Sequence, residues 1–357
     1  MFLAIKEIRY SKLRYGLIVG IMFLIAYVVF MLSGLANGLS EEFKKAIDDW
    51  DAQEIVLSED ANQVFAASQL TRGDLKYIEE GEKAPIGLYS GAIKGKNKEN
   101  VTVFGTTKEA FLLPKLTKGH EFKTKNEIII SQNLADSGYK IGDTFKIGSY
   151  DDPLTIVGIF PETYYTVSPV IYASLDTWTA LKYGQQPFAS EEEQPINGIV
   201  IKDSAKISKE KASKGLQLLT IGTFIESIPG YSAQNMTLNA MIYFLFLVVA
   251  AVVGIFMYVM TLQKTAIFGV MKAQGIKNFF IAKSLVAQSF IVGVVGVLLA
   301  LLFAYLTSLI LPSAMPFAVF WSQWLLYSGI LIIVAMLGGL FSIRTITKVD
   351  PITAIGG

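Results

Sequence analysis

The chain has 357 residues, of which 52% are hydrophobic and 17% are charged, and its formal net charge is +1. Soluble domains usually carry about 25% charged residues, so this composition indicates a membrane protein and excludes an intrinsically disordered chain. Cysteine is absent and His120 is the sole histidine. Disulfide scaffolds, iron–sulfur clusters, thiolate zinc sites and zinc sites built from several histidines of one subunit are therefore excluded.

Apolar runs long enough to cross a hydrocarbon core of about 30 Å occur four times along the chain. They predict transmembrane helices at residues 15–39, 236–262, 279–311 and 317–343. A cleaved signal peptide is not expected at the first run, because its apolar core is too long and no clear cleavage site follows.

Lysine and arginine cluster in the short flanks of these helices, at residues 1–14, 263–278 and 344–357. By the positive-inside rule these flanks and both termini are predicted to be cytoplasmic, and residues 40–235 to be extracytoplasmic. The charge division agrees: residues 40–235 hold 21 basic and 28 acidic residues, net −7, and the rest holds 10 and 2, net +8. The basic inner rim should favour anionic lipid headgroups.

The long segment 40–235 is predicted to be a mixed α/β domain. Residues 41–50 read as a polar continuation of the first helix, and residues 204–219 as a helix with exposed lysines. Short runs rich in β-branched residues predict strands. These runs lie at residues 54–57, 92–94, 101–104, 127–131, 144–147, 154–160, 170–173 and 198–201.

Catalytic motifs are absent from the sequence. There is no Walker A loop, no HExxH and no GxSxG. The main polar residues inside the predicted spans are uncharged, unlike the intramembrane acids of ion-coupled carriers; they are Asn239, Gln288, Ser289, Ser322 and Gln323. We therefore expect no enzyme active site, no intrinsic cofactor, no metal site and no nucleic-acid partner.

Four local patterns occur at fixed places relative to the predicted helices. FLAIKEIRYSKLRYG precedes the first helix, and EIIISQNLADSGYKIGDTFKIG followed by LTIVGIF lies in the outer domain. KTAIFGVMKAQGIKNFFIAKSL follows the second helix and RTITKVDPITAIGG the fourth. With the order of one helix, a large domain and three helices, the whole chain resembles the permeases of MacB/FtsX-type (type VII) ABC transporters.

The resemblance implies a homodimer bound to two copies of a cytosolic ABC ATPase, which would bind ATP and Mg²⁺. In this family the short helix between the second and third spans enters a cleft of the ATPase, and motion is passed to the outer domains by mechanotransmission. The corresponding residues are Phe268, Gly269, Met271, Lys272, Ala273 and Gly275. Phe268 and Met271, spaced i, i+3, are predicted to plug that cleft; an interfacial elbow on lipid is the alternative.

Within the family, the size of the outer domain and the stretch FIESIPGYSAQN most resemble HrtB-type haem-export permeases of Gram-positive bacteria, which act with an HrtA-like ATPase. Haem as substrate needs axial ligands such as Met, Tyr, His, Cys or a carboxylate. The candidates here are Glu226, Tyr231, Met236, Met241, Tyr164 and Tyr165.

Ordinary roles remain open for each of these candidates. Tyr231 could belong to the aromatic belt, Glu226 could be a solvated acid, and the methionines and the other two tyrosines could simply pack. Two alternative functions also remain: export of an antimicrobial peptide, lipopeptide or macrolide-like compound, and regulation of a cell-wall hydrolase without transport.

Overall fold

The computed structural model describes residues 2–94, 98–209, 215–312 and 315–340. The chain divides into two compact units. Met1–Gly38 and Asn235–Gly357 form the helical unit, and Leu39–Gln234 form the α/β unit. The predicted C-terminal segment 344–357 and the end of the fourth predicted span, residues 341–343, lie outside the described residues.

The described helices are of two kinds, short segments and long apolar helices. In chain order they are α1 Phe2–Tyr10, α2 Lys12–Asp48, α3 Gln132–Asp136, α4 Leu175–Tyr183, α5 Ile221–Glu226, α6 Tyr231–Gln263, α7 Thr265–Ala273, α8 Asn278–Ser308 and α9 Trp321–Leu340. Among the described residues, α2, α6, α8 and α9 are long and apolar enough to cross a membrane. With 37 and 33 residues, α2 and α6 exceed the roughly 20 residues that a bilayer requires.

Small residues allow the backbones of α6 and α9 to approach closely. A Cβ atom added to Gly338 would lie 2.6 Å from the carbonyl oxygen of Ala250 and 3.0 Å from the amide nitrogen of Gly254. Such contacts are typical of helix pairs in lipid, where dispersion and hydrogen bonds rather than hydrophobic burial hold helices together.

The α/β unit is built on strands that pair mainly antiparallel. They are β1 Glu54–Ser58, β2 Leu70–Thr71, β3 Ile78–Glu79, β4 Lys83–Lys94, β5 Asn100–Thr106, β6 Lys118–Gly119, β7 Glu127–Ser131, β8 Thr144–Ile147, β9 Leu154–Phe160, β10 Tyr164–Tyr165, β11 Ser168–Ser174, β12 Pro195–Ile196, β13 Gly198–Ile201, β14 Lys206–Ile207 and β15 Leu216–Thr220. Pairings run from β4 through β5, β11, β7, β9 and β8 back to β4, which closes a ring of strands. The first half of β4 continues through β13 and β1 to β15.

The predicted fold class is confirmed: in the sequence, a mixed α/β unit follows the first apolar helix and precedes the next. One local prediction is wrong. The helix predicted at residues 204–219 is wrong at both ends, since Lys206–Ile207 is strand β14 and Leu216–Thr220 is strand β15, paired along its length with β1. Residues 210–214 of that predicted helix lie outside the described residues. Leu216 and Leu219 are buried, so tertiary pairing overrides the helical preference of the neighbouring lysines.

Aromatic side chains fill the core of the α/β unit. Trp50, just after α2, is 1% exposed and donates its Nε1–H to the Tyr172 hydroxyl at 3.0 Å. Its ring lies 5.5 Å from that of Phe104 and 6.4 Å from that of Phe224. Burial of these rings is a large favourable contribution, of roughly 25 cal/mol per Å² of apolar surface.

Candidate functional site

An apolar cleft lies between α2 and α6 within the helical unit. Its volume is about 680 Å³, and it is lined by Val28, Leu32, Met236, Thr237, Ala240, Met241, Phe244 and Leu245. Every lining residue except Thr237 is apolar, and none is charged. Because Met236, Ala240 and Phe244 recur every four residues, they present one face of α6 to the cleft. Cleft volumes of roughly 300–1,000 Å³ accommodate small organic ligands.

Two of the predicted haem ligands, Met236 and Met241, lie together in this cleft. Their side chains are 72% and 50% exposed. A thioether is both an apolar packing group and a possible axial ligand of haem iron. The cleft can therefore pack a flat apolar ring system and offer sulfur atoms beside it.

Glu226 and Tyr231 belong to the α/β unit and differ in availability. Glu226 is the exposed last residue of α5, and its carboxylate makes no hydrogen bond or ion pair within the described ranges. The half-buried Tyr231 has its hydroxyl 3.1 Å from the Oγ of Ser40 and its ring 6.0 Å from that of Phe43. Glu226 is free to meet a ligand, whereas Tyr231 already contacts α2.

Tyr164 and Tyr165 form the two-residue strand β10, and their side chains differ in exposure. Tyr165 is 4% exposed and packs against Phe104 in the aromatic core, 5.4 Å between ring centroids. Tyr164 is half-buried and donates its hydroxyl to Glu162 Oε1 at 3.0 Å. Burial raises the pKa of Tyr164 to about 12. A role for Tyr165 in ligand binding has no support from this placement, because its ring is part of the core.

The predicted coupling segment forms helix α7, but its sequence-predicted contact face points inward. Phe268 is 2% exposed and lies in the core of the helical unit, Gly269 is buried, and Met271 packs partly against the same core. This placement gives no support to a partner contact by Phe268, and a partner contact by the half-buried Met271 stays a prediction. The i, i+3 spacing defines one face of a helix but not the direction that face takes.

The exposed face of α7 carries different apolar residues. Ile267 is 57% exposed and Val270 is 44% exposed. Lys272 is half-buried, while Ala273 and Gly275 are exposed. Sequence reasoning missed Ile267 and Val270, although their i, i+3 spacing was the same signal that singled out Phe268 and Met271.

Sequence reasoning also missed the cleft-lining residues Val28 and Leu32 of α2. Their spacing in an all-apolar span does not separate cleft-lining from lipid-facing positions.

A polar pocket of about 410 Å³ in the α/β unit carries charges of both signs, from Asp151, Asp152 and Lys182. Burial lowers the pKa of Lys182 to about 8, and its Nζ donates to Asn197 Oδ1 at 3.1 Å. Across the described residues, no group of three or more histidine or acidic side chains could hold a metal ion. The apolar cleft is therefore the better site for a hydrophobic ligand.

Comparisons with known proteins cover the whole chain. The MacB-like periplasmic core domain matches residues 16–217, and the FtsX-like permease C-terminal domain matches residues 239–351. A Staphylococcus haemolyticus protein named as hemin transport system permease protein HrtB is 33% identical over 360 residues, covering 100% of this chain and 99% of its own. A protein of the same name from Staphylococcus epidermidis is 31% identical over 361 residues, with the same coverage.

Among solved structures, the extracellular domain of the noncanonic ABC-type transporter YknZ from Gram-positive bacteria aligns with 47% of this chain and 99% of its own, with 11% identity and a TM-score of 0.32. The two family domains together match most of the α/β unit and most of the described helices after it. This chain is a membrane protein that belongs to the MacB/FtsX-like family of ABC transporter permeases.

Proposed function

We propose that this permease exports haem from the membrane, driven by ATP hydrolysis on a separate ATPase. The observation that carries the proposal is full-length identity of 31–33% to permeases named for hemin transport. The apolar cleft between α2 and α6 supports it physically, since a flat porphyrin is a ligand of suitable shape and polarity. Met236 and Met241 would lie beside the ring, and Glu226 and Tyr164 stay candidates for iron or rim contacts.

A haem titration of the purified permease, followed at the Soret band, tests the cleft. Ala240 lines the cleft, so Ala240→Trp should fill it and weaken haem binding at least tenfold. Ala251 is exposed on the same helix but does not line the cleft, so Ala251→Trp is the matched control and should bind normally. Equal affinity of the two variants would contradict haem binding in the cleft.

Growth of a deletion strain on haem tests the substrate itself. The strain should be haem-sensitive, and the wild-type gene should restore resistance. Unchanged haem resistance combined with new sensitivity to a peptide or macrolide would favour export of such compounds. Co-purification of a cell-wall hydrolase, without sensitivity to any exported compound, would favour the regulatory alternative.

We also propose that both termini and α7 face the cytoplasm and that residues 40–235 lie outside. The chain has no native cysteine, so a single introduced cysteine reports its own location. Lys125→Cys in the α/β unit should react with a membrane-impermeant maleimide on intact cells. Gln274→Cys after α7 should react only once the cells are opened. The reverse pattern would overturn this orientation.

The exposed face of α7 is the proposed contact for the ATPase. Ile267 and Val270 would enter an apolar cleft of the partner, as amphipathic helices do in groove recognition. Ile267→Asp should abolish co-purification of the ATPase, whereas Asn278→Asp, an exposed position beyond α7, should not. Light scattering of the complex should give two permease and two ATPase copies.

A further inference from the structure

A cluster of polar side chains joins four segments at one end of the helical unit. Tyr15 of α2 donates its hydroxyl to Gln288 Oε1 of α8 at 2.6 Å. The Gln288 amide donates to the carboxylate of Glu7 on α1. Lys264, between α6 and α7, donates to Glu7 Oε2 at 3.1 Å. We call Glu7, Tyr15, Lys264 and Gln288 the inner polar cluster.

The inner polar cluster is largely shielded from solvent. Tyr15 and Gln288 are each 1% exposed, and the side chains of Glu7 and Lys264 are 20% and 12% exposed. Removing one member of such a shielded ion pair leaves an uncompensated charge, which is far more costly than losing a surface pair. The inner polar cluster is therefore expected to hold its four segments in a fixed arrangement, unlike a fluctuating surface contact.

The position of Lys264 connects the inner polar cluster to α7. Helix α6 ends at Gln263 and α7 begins at Thr265, so Lys264 is the single residue between them. Its Nζ also lies 5.7 Å from the centroid of the Tyr15 ring, and Arg14 donates to Gln263 Oε1 at 2.7 Å beside it. The start of α7 is thus tied to α1, α2 and α8 by directional contacts.

We propose that the inner polar cluster transmits displacement of α7 to α2 and α8, with Glu7 and Lys264 as the positioning pair. This inference rests on the proposed function only in assigning ATPase contact to α7. Helix α7 also packs on the helical unit through the apolar side chains of Phe268 and Met271. Such apolar contacts are non-directional, whereas the hydrogen bonds and ion pair of the inner polar cluster are directional.

Spin-label distances between α1 and α7 test whether the inner polar cluster holds these helices in a fixed arrangement, and they need neither ATPase nor haem. Cysteines at Ile5 on α1 and Gln274 after α7, both exposed, would carry labels in the full chain, diluted with unlabelled chain to remove distances between copies. The parent should give one narrow distance distribution, and Lys264→Met and Gln288→Leu should each broaden it at least twofold. Gln323→Leu on α9, the same substitution away from the cluster, should not. Unchanged distributions in both cluster variants would overturn the proposal, whatever the substrate.

A charge exchange tests transmission in the complex with its ATPase. Glu7→Lys and Lys264→Glu should each lower haem exported per ATP hydrolysed at least tenfold, while ATPase binding and hydrolysis stay within twofold. The double exchange should restore at least half of the ratio, because the Gln288 amide can turn its oxygen toward Lys at position 7. If either single variant does not accumulate, Glu7→Gln, which keeps the hydrogen bonds without the charge, replaces it.

A coupling ratio that stays normal in a variant with a broadened distance would overturn transmission and leave only a structural tie. Transmission would also be overturned if the double exchange does not restore the haem exported per ATP hydrolysed that either single exchange lowers. Absence of haem export from the parent complex would instead contradict the proposed substrate, since the spin-label distances do not depend on haem.

Discussion

The two units of this chain place their large apolar side chains in opposite ways. In the α/β unit the rings of Trp50, Phe104 and Trp178 are at most 1% exposed. In the helical unit many large apolar residues point outward, among them Phe244 at 65% and Leu298 at 61% exposure. The inner contacts there include close glycine contacts and polar pairs such as Asn37–Gln323, 2.6 Å apart.

This difference follows from the solvent that each unit meets. In water, burial of apolar area is the main driving force, so a deep aromatic core stabilises the α/β unit. In lipid, apolar side chains gain little by turning inward, so close packing and hydrogen bonds hold the helices together. Substitutions of the same kind should therefore have different effects in the two units.

The largest effect is expected for Trp178→Ala in the α/β unit. The indole is fully buried, and a Cβ added to either Gly87 or Gly105 would come within 2.2 Å of Trp178 atoms. Its loss should lower the free energy of unfolding by about 3–5 kcal/mol. Thermal unfolding of the detergent-solubilised chain, monitored by limited proteolysis of the α/β unit, measures this loss of stability. Trp321→Ala in the helical unit, at a position 47% exposed, should lower the stability much less. Equal losses of stability in the two variants would contradict the difference between the two units.

The next largest effect is expected for Gly338→Leu in the helical unit. The added side chain would push α9 away from the carbonyl of Ala250 on α6, at a cost of about 1–3 kcal/mol. Gly329 has no atom within 4 Å of an added Cβ, so Gly329→Leu is the matched control. Fluorescence-detected size exclusion after heating should show a lower melting temperature for Gly338→Leu alone. Identical melting curves would mean that α6 and α9 do not need the close approach.

A stabilising change is expected at the turn between β10 and β11. Thr166 and Val167 have φ angles of +47° and +64°, a region that β-branched residues rarely adopt. Their amides donate to the carbonyls of Phe43 and Glu42, which holds the turn in place. The pair Thr166→Asn and Val167→Gly suits a two-residue hairpin and should raise the free energy of unfolding by about 1 kcal/mol. Val167→Ala keeps the Cβ and should gain less; a loss of stability in the Asn-Gly variant would show that these side chains matter beyond the backbone.

A smaller effect is expected from the polar pair Asn37–Gln323. Gln323 also donates to the Tyr327 hydroxyl at 2.9 Å, so part of its bonding survives when Asn37 is replaced. A double-mutant cycle with Asn37→Leu and Gln323→Leu should give a coupling energy of about 0.6 kcal/mol, the scale found for hydrogen bonds between membrane helices. A coupling near zero would mean that packing alone joins α2 to α9.

The most subtle effect is a pH dependence from Lys182. Because burial lowers its pKa to about 8, the folded state binds this proton more weakly than the unfolded chain does. Stability should therefore rise with pH from about 8 toward the ordinary lysine pKa of about 10.4. Unfolding midpoints between pH 7 and 9.5 should rise less in Lys182→Met than in the parent. Parallel curves would show that Lys182 is solvated in the folded state.

Much of the architecture could be predicted because it depends on local patterns. Long apolar runs predicted the four apolar helices that the described residues contain, and β-branched runs predicted strands such as β7 and β9. The helix predicted at residues 204–219 is wrong at its C-terminal end, because β15 exists through its pairing with a distant strand. Only the last part of β4 was predicted, since KAPIGLYSG lacks a regular alternation.

The candidate site was predicted less completely, because it too depends on contacts between residues far apart in the sequence. Met236 and Met241 were found through their chemistry, but Val28 and Leu32 become part of the cleft only when α2 lies beside α6. The sequence places a helix with two possible apolar faces at residues 265–273, and only packing shows that Phe268 is inside and Ile267 outside. Gln288 stood out as a polar residue in an apolar span, yet nothing local linked it to Glu7.

The sequence alone thus determined the family, the spans, the division of charge and the placement of a large α/β unit between the first two spans. These depend on composition, on periodicity and on motifs that are contiguous in the chain. Tertiary structure alone decided which face of α7 is free, which residues line the cleft and that Glu7, Tyr15, Lys264 and Gln288 meet. Those contacts join residues up to 281 positions apart, and no local pattern encodes a pairing over that distance.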